Sequence, residues 1–178
     1  MSNDLVAVWD IPLADGVHTV ELEHGTLTGK RVIRVDGKEI IKREWMFKLV
    51  GDETFTMNKF VCVVKIEPCG LFNYSYTLFV DGKSLHTFSE NRSKICSTWL
   101  VCLPPDGIYR VVLQKDTLDV WSNGEQVEVK SEFVDSGTEM HFMLGDYAAC
   151  IKSIPSYSKK EGILYTLIVN DDIIEPEA

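Results

Sequence analysis

The sequence contains no run of about 18 apolar residues, so no segment reads as a membrane-spanning helix. Its opening, MSNDLVAVWD, lacks the basic stretch, apolar core and small-residue cleavage site of a secretory signal, which makes a cytoplasmic address the expectation. No CxxC pair and no Cys/His ligand spacing occurs, which removes the common zinc and redox motifs. The nucleophile elbow GxSxG and any phosphate-cradling glycine loop are also missing. Positive charge is scarce. Eighteen Lys and Arg face 27 Asp and Glu, for a net charge of −9 and a pI near 4.9. A surface of that sign repels phosphate backbones and anionic lipid, so neither nucleic-acid nor membrane-surface binding is expected, and the lack of a long apolar run argues against membrane insertion.

What is present is a repetition. YTLFVDG (Tyr76 to Gly82) returns as YTLIVND (Tyr165 to Asp171), 89 residues on in a chain of 178. Trp9 and Trp99 are 90 apart, and Asp15-Gly16-Val17 precedes Asp106-Gly107-Ile108 by 91. Gly37 and Gly124 are separated by 87, and Glu44-Trp45 and Glu132-Phe133 by 88. Several ordered matches at one near-constant offset point to an internal duplication. A unit of about 90 residues is long enough to close its own core. Two tandem domains, 1–90 and 91–178, are therefore expected; one undivided pseudo-symmetric domain is the alternative. The polar stretch ENRSK (Glu90 to Lys94) supplies the boundary.

Each half reads as short strands separated by turn chemistry. VHTVELE, RVIRV, IYRVVL, QVEV and ILYTLIV alternate or are rich in β-branched residues. Asp36-Gly37, Asp81-Gly82 and Asn123-Gly124 are dipeptides suited to two-residue hairpins. KEIIKREWMFKLV (Lys38 to Val50) is ambiguous, because Ile41, Trp45 and Leu49 would stripe a helix while Trp45, Phe47 and Leu49 would line a strand. Its counterpart, EQVEVKSEFV (Glu125 to Val134), alternates, so strand is expected in both halves. The fold class is all-β: two tandem antiparallel β-sandwich domains related by duplication.

Candidate chemistry is sparse. His18, His24, His86 and His141 are scattered singly, and a Cys-His dyad such as Cys62 with His141 would need the fold to bring the two together. The five cysteines, Cys62, Cys69, Cys96, Cys102 and Cys150, are read as reduced small hydrophobes, with Cys69 between Pro68 and Gly70 the one expected at the surface. Glu21 and Glu23 share one face of a strand and read as a solvated face rather than a catalytic pair. Trp9, Trp45, Trp99 and Trp121 could form an aromatic platform for sugars or peptides, but positions kept by a duplication suit core plugs. Asn91, Arg92 and Lys94, in the boundary segment, are the most accessible polar cluster and the candidate partner-binding residues, against a solvated hinge. No catalytic residue, cofactor or metal ligand is expected.

The motifs DLVAVWD, EWMFKLVG, ENRSK followed by TW, DVWSNG, EFVDSGTE with HF, and EGI with TLIV run in order from Asp4 to Val169. Together they resemble the Fas apoptotic inhibitory molecule family, in its short form. The chain departs from that pattern at NKFVCVVKIEPCGLFN (Asn58 to Asn73) and in its C-terminal IIEPEA. The resemblance implies a cytosolic, non-enzymatic protein of β-sandwich domains that opposes death-receptor-triggered cell death, with further roles in neurite growth signalling and in protection against protein aggregation. It thereby implies death-receptor or survival-signalling proteins as partners and, as a second possibility, misfolded client proteins held along a free sheet edge. A carbohydrate-binding sandwich is the remaining alternative.

Overall fold

The computed structural model describes residues 4–177; the Met-Ser-Asn that opens the chain and the final alanine of IIEPEA lie outside them. The chain forms two compact units. The first comprises residues up to Leu13 together with Val17–Arg92, and the second Ala14–Gly16 with Ser93 onward.

In the first unit, β1 (Leu5–Leu13), β2 (Gly16–His24), β3 (Arg31–Val35) and β4 (Lys38–Arg43) form one four-stranded sheet in chain order. A second sheet holds β5 (Gly51–Met57), β6 (Phe60–Pro68), β7 (Tyr74–Val80) and β8 (Lys83–Ser84), again in chain order. Short turns force this meander. Asp36-Gly37 and Asp81-Gly82 adopt positive φ at both central positions, 52° and 80°, then 47° and 75°, the left-handed pair whose twist suits a two-residue hairpin. Alternation then selects the buried face. On β6, Cys62, Val64 and Ile66 are buried, and they meet Ile11, Val20, Leu22 and Ile33 of the other sheet in one core.

A helix, α1 (Leu85–Ile95), follows. The second unit then repeats the plan. One sheet is built of β9 (Cys96–Leu103), β10 (Gly107–Gln114), β11 (Asp119–Ser122) and β12 (Glu125–Gln126). The other is built of β13 (Lys130–Val134), β14 (Gly137–Leu144), β15 (Tyr147–Pro155), β16 (Ile163–Val169) and β17 (Asp172–Ile174). Its core joins Trp99, Val111, Leu113 and Val120 to Met140, Ile151 and Leu167. Ile33 and Val120, and likewise Phe55 and Phe142, occupy matching core positions 87 residues apart. The all-β expectation holds, with four antiparallel sheets and one helix among the described residues.

Two local expectations fail. ENRSK is the C-terminal part of α1, not a solvated hinge. The Ser84 hydroxyl accepts from Thr87 N (3.3 Å) at the start of α1, and Phe88 and Arg92, one turn apart, face inward. The strand expected over Lys38 to Val50 ends at Arg43, leaving residues 44–50 irregular, although the equivalent Lys130–Val134 is strand β13. The reason lies in the side chains described below.

The alternation on β16 yields a direct test. Leu167→Ala removes a fully buried side chain and should cost about 2–5 kcal/mol. Leu164→Ala, on the same strand but half exposed, should cost about 1 kcal/mol or less. Urea denaturation of the two variants checks the difference.

Candidate functional site

Three residues of the first unit break the apolar pattern of their strands. His24 shares its face of β2 with Val20 and Leu22. Arg31 is in line with Ile33 and Val35 on β3, and Glu53 with Phe55 and Met57 on β5. All three are buried, with Arg31 only 2% exposed. They gather at one end of the core. Arg31 Nη1 donates to Glu53 Oε1 (3.1 Å), and Arg43 grips the same carboxylate through Nε (2.7 Å) and Nη2 (3.1 Å). Arg31 Nη2 donates to the carbonyls of Lys48 (3.2 Å) and Val50 (2.8 Å). Because a carbonyl only accepts, His24 Nε2 must carry the proton it shares with Leu49 O (2.9 Å), which leaves Nδ1 to accept from Tyr76 OH (2.8 Å). Burial pushes the His24 pKa down and so favours this neutral tautomer, outweighing the opposing hydrogen bond to Leu49.

Side chains have thus taken the backbone partners that a neighbouring strand would supply. Met46 N adds a bond to Thr28 O (2.9 Å). Gly29, at φ 70°, must be glycine, since a Cβ there would lie 2.6 Å from Met46 O. In the second unit the positions matching Arg31 and Glu53 are Leu118 and Met140, which offer no such donors or acceptors. There the corresponding chain pairs with β14, with Lys130 opposite His141 and Glu132 opposite Glu139.

With its backbone pinned inward, the 44–50 segment presents Trp45 and Phe47 outward, 56% and 93% exposed. Their rings meet edge-on at 4.3 Å between centroids. Trp45 is therefore not a core plug. Trp99 is fully buried, and Trp9 and Trp121 are half-buried. The remaining candidates also separate. Arg92 is buried, its guanidinium over the Phe60 ring at 5.9 Å, where Phe60 also meets Phe88 edge-on. The expected accessible cluster is consequently reduced to Lys94, which is exposed, and Asn91, which is half-buried. Glu23 is not on a solvated face, being buried with Oε2 accepting from Arg34 (2.8 Å).

Cys62 sits in the first unit's core, its thiol pushed up to about 11, first by burial and then by the Asp81 charge. The cysteine grouped with His141 is Cys150. None of the five cysteines is in a disulfide; Cys69 is exposed as expected, and so is Cys102. Alternation on β14 and β15 turns Met140, Phe142, Ala149 and Ile151 to the core, so Glu139, His141, Cys150 and Lys152 share the outer face. Glu139 Oε2 contacts His141 Nε2 at 3.1 Å while its Oε1 contacts Lys152 Nζ at 3.3 Å. Burial, then the Glu139 charge, raises the Cys150 thiol, so thiolate is scarce at neutral pH and a nucleophilic role is disfavoured. Among the described residues no helix is long and apolar enough to cross a membrane.

The fold and these features define a two-sandwich, all-β protein that carries a mounted aromatic pair on one unit and a titratable sheet face on the other. Comparison with known proteins gives this class a family. The chain belongs to the Fas apoptotic inhibitory molecule family, whose model matches residues 5–177. It is 55% identical to Fas apoptotic inhibitory molecule 1 of Mus musculus and 51% identical to that of Homo sapiens, in each case over 94% of both chains. Identity to the Rattus norvegicus protein of the same name is 54%, over 94% of this chain and 84% of that one.

The polar end of the first core was readable in principle. Each of His24, Arg31 and Glu53 continues an inward-facing series, and a charge in such a series must find a buried partner. Which partners meet depends on strand order, which the sequence leaves open.

The neutral His24 makes stability depend on pH. Its folded pKa lies below that of the unfolded chain, near 6.5, so the unfolded state takes up the proton first. Its contribution is fully present above about pH 6.5 and is lost as pH falls through that value, by at most about 1.4 kcal/mol per pH unit. Denaturation at pH 7.5 and pH 5.5 should show a smaller loss in His24→Gln than in the parent protein.

Proposed function

We propose that this protein is a non-enzymatic inhibitor of cell death, acting in the cytoplasm through contacts with death-receptor or survival-signalling proteins. The family name supports the process. The observation that carries the mechanism is the Trp45–Phe47 pair: large aromatic side chains on a backbone fixed by Arg31, His24 and Thr28. Aromatic anchors dominate binding energy, and a segment ordered before binding avoids most of the entropy cost of ordering it on contact. The exposed Lys94 and half-buried Asn91 are secondary contacts in this reading. Affinity capture from cells after Fas stimulation should recover signalling components. Trp45→Ala with Phe47→Ala should lower that recovery at least about tenfold at unchanged melting temperature. Equal recovery by the double variant would remove the pair from the mechanism.

A second reading, a holdase for misfolded proteins, has its own observation. β13 lies at the edge of its sheet, all five of its residues are exposed, and Phe133 is 91% exposed. Such an edge can add a client strand through main-chain hydrogen bonds, and the acidic surface would keep the complex dissolved. Light scattering of a heat-denatured client should fall at stoichiometric amounts of this protein. Unabated scattering sinks the idea.

A further inference from the structure

We propose that Glu139, His141 and Cys150 form a zinc-binding site on the outer face of the β14–β15 pair. One ligand atom from each lies within 4.8 Å of the others. The register makes this more than proximity. His141 is directly opposite Cys150, and Glu139 precedes His141 by two residues on the same strand, so all three side chains leave one side of the sheet. Both strands are anchored beneath by core residues, which fixes the three Cβ positions before any ion arrives.

The donor set is carboxylate oxygen, imidazole nitrogen and thiolate sulfur, which matches zinc and is a poor match for calcium or magnesium, whose sites are built of oxygen. Ligand atoms around tetrahedral zinc lie roughly 3.3–3.6 Å apart, given Zn–N, Zn–O and Zn–S bonds of about 2.0–2.3 Å. Glu139 Oε2 and His141 Nε2 are already 3.1 Å apart. Cys150 Sγ, within 4.8 Å of both partners, closes the remaining gap by a change of side-chain torsion. On binding, zinc takes Nε2 of the neutral imidazole, whose proton then sits on Nδ1, and takes the sulfur as thiolate, so the thiol proton is released to solvent. The fourth position belongs to water or to Glu132, whose Oε2 is 4.0 Å from His141 Nε2. The face opens onto a depression of about 540 Å³, so a hydrated ion can enter.

Lys152 is the competitor. Its ammonium contacts Glu139 Oε1 at 3.3 Å, and together with His141 it could make this patch an ordinary surface ion-pair cluster. That simpler reading leaves Cys150 without a role, and it predicts no zinc binding that depends on Cys150.

Calorimetric titration of the reduced, metal-free, full-length protein with Zn²⁺ tests the proposal, with Co²⁺ as the spectroscopic probe. One equivalent should bind at micromolar affinity or tighter, and Co²⁺ should show a thiolate charge-transfer absorption. Cys150→Ser and His141→Ala should each weaken Zn²⁺ binding at least about tenfold, and Cys150→Ser should abolish that absorption. Lys152→Met should tighten binding by a few-fold. Cys69→Ser and Cys102→Ser, at the two exposed cysteines elsewhere, should change nothing. Lack of binding overturns the proposal, and so does binding that survives Cys150→Ser and His141→Ala but is lost in Cys69→Ser or Cys102→Ser. Lys152→Met supplies an arm in which all three ligands are kept, so weaker binding in that variant also counts against the site.

Discussion

The first unit depends on a buried guanidinium. Arg31 lies among core residues, and its charge is tolerable only because Glu53 receives one nitrogen while the Lys48 and Val50 carbonyls receive the other. Isolating either charge of a buried pair costs on the order of 3–5 kcal/mol, so the group is strongly coupled to its partners. The coupling runs in both directions. The ion pair needs the 44–50 chain to satisfy its spare donor, and that chain, having no strand neighbour, needs the donor to satisfy its carbonyls. Arg43, half exposed, closes the carboxylate from outside.

That interdependence explains why a duplicated scaffold carries two different surfaces. The cores match position for position, Ile33 with Val120 and Phe55 with Phe142, because the inward face of each strand must fill the same kind of space. The strand ends are freer. Where the first unit has Arg31 and Glu53, the second has Leu118 and Met140, and the chain between sheets reverts to main-chain pairing as β13. One exchange of polar for apolar side chains thus decides whether this segment becomes a pinned aromatic knuckle or an edge strand.

Much of this could be read from the sequence, for local reasons. Asp36-Gly37, Asp81-Gly82 and Asn123-Gly124 fix hairpins within two residues, and strand alternation reports its own buried face. The duplication was visible because the core constrains both copies alike. The helix was missed because only Phe88 and Arg92 of its eleven residues are buried, so the apolar stripe that usually reveals a helix is absent. Arg92 misled for a related reason: its long stem and planar head can lie against Phe60, a burial that residue type alone does not suggest. The polar cluster of His24, Arg31 and Glu53, and the grouping of Glu139, His141 and Cys150, join residues from different strands. Register brings His24 to Arg31 and His141 to Cys150, and packing of the two sheets brings Glu53 to Arg31.

The two outward features also differ in what they ask of the protein. Trp45 and Phe47 are useful only if their backbone does not move, and the first unit secures this with hydrogen bonds from buried side chains. Glu139, His141 and Cys150 need only that β14 and β15 hold their register. Seven residue pairs and the core residues among them already ensure this, so no dedicated network is required there. Exposed groups on a rigid sheet face can therefore diverge freely between relatives without loss of fold. Any change at His24, Arg31 or Glu53 must instead be met by a compensating change in the 44–50 backbone. The physical cost of altering each surface is thus set by what lies beneath it: an apolar core under the second unit's face, and an ion-paired charge under the first unit's knuckle.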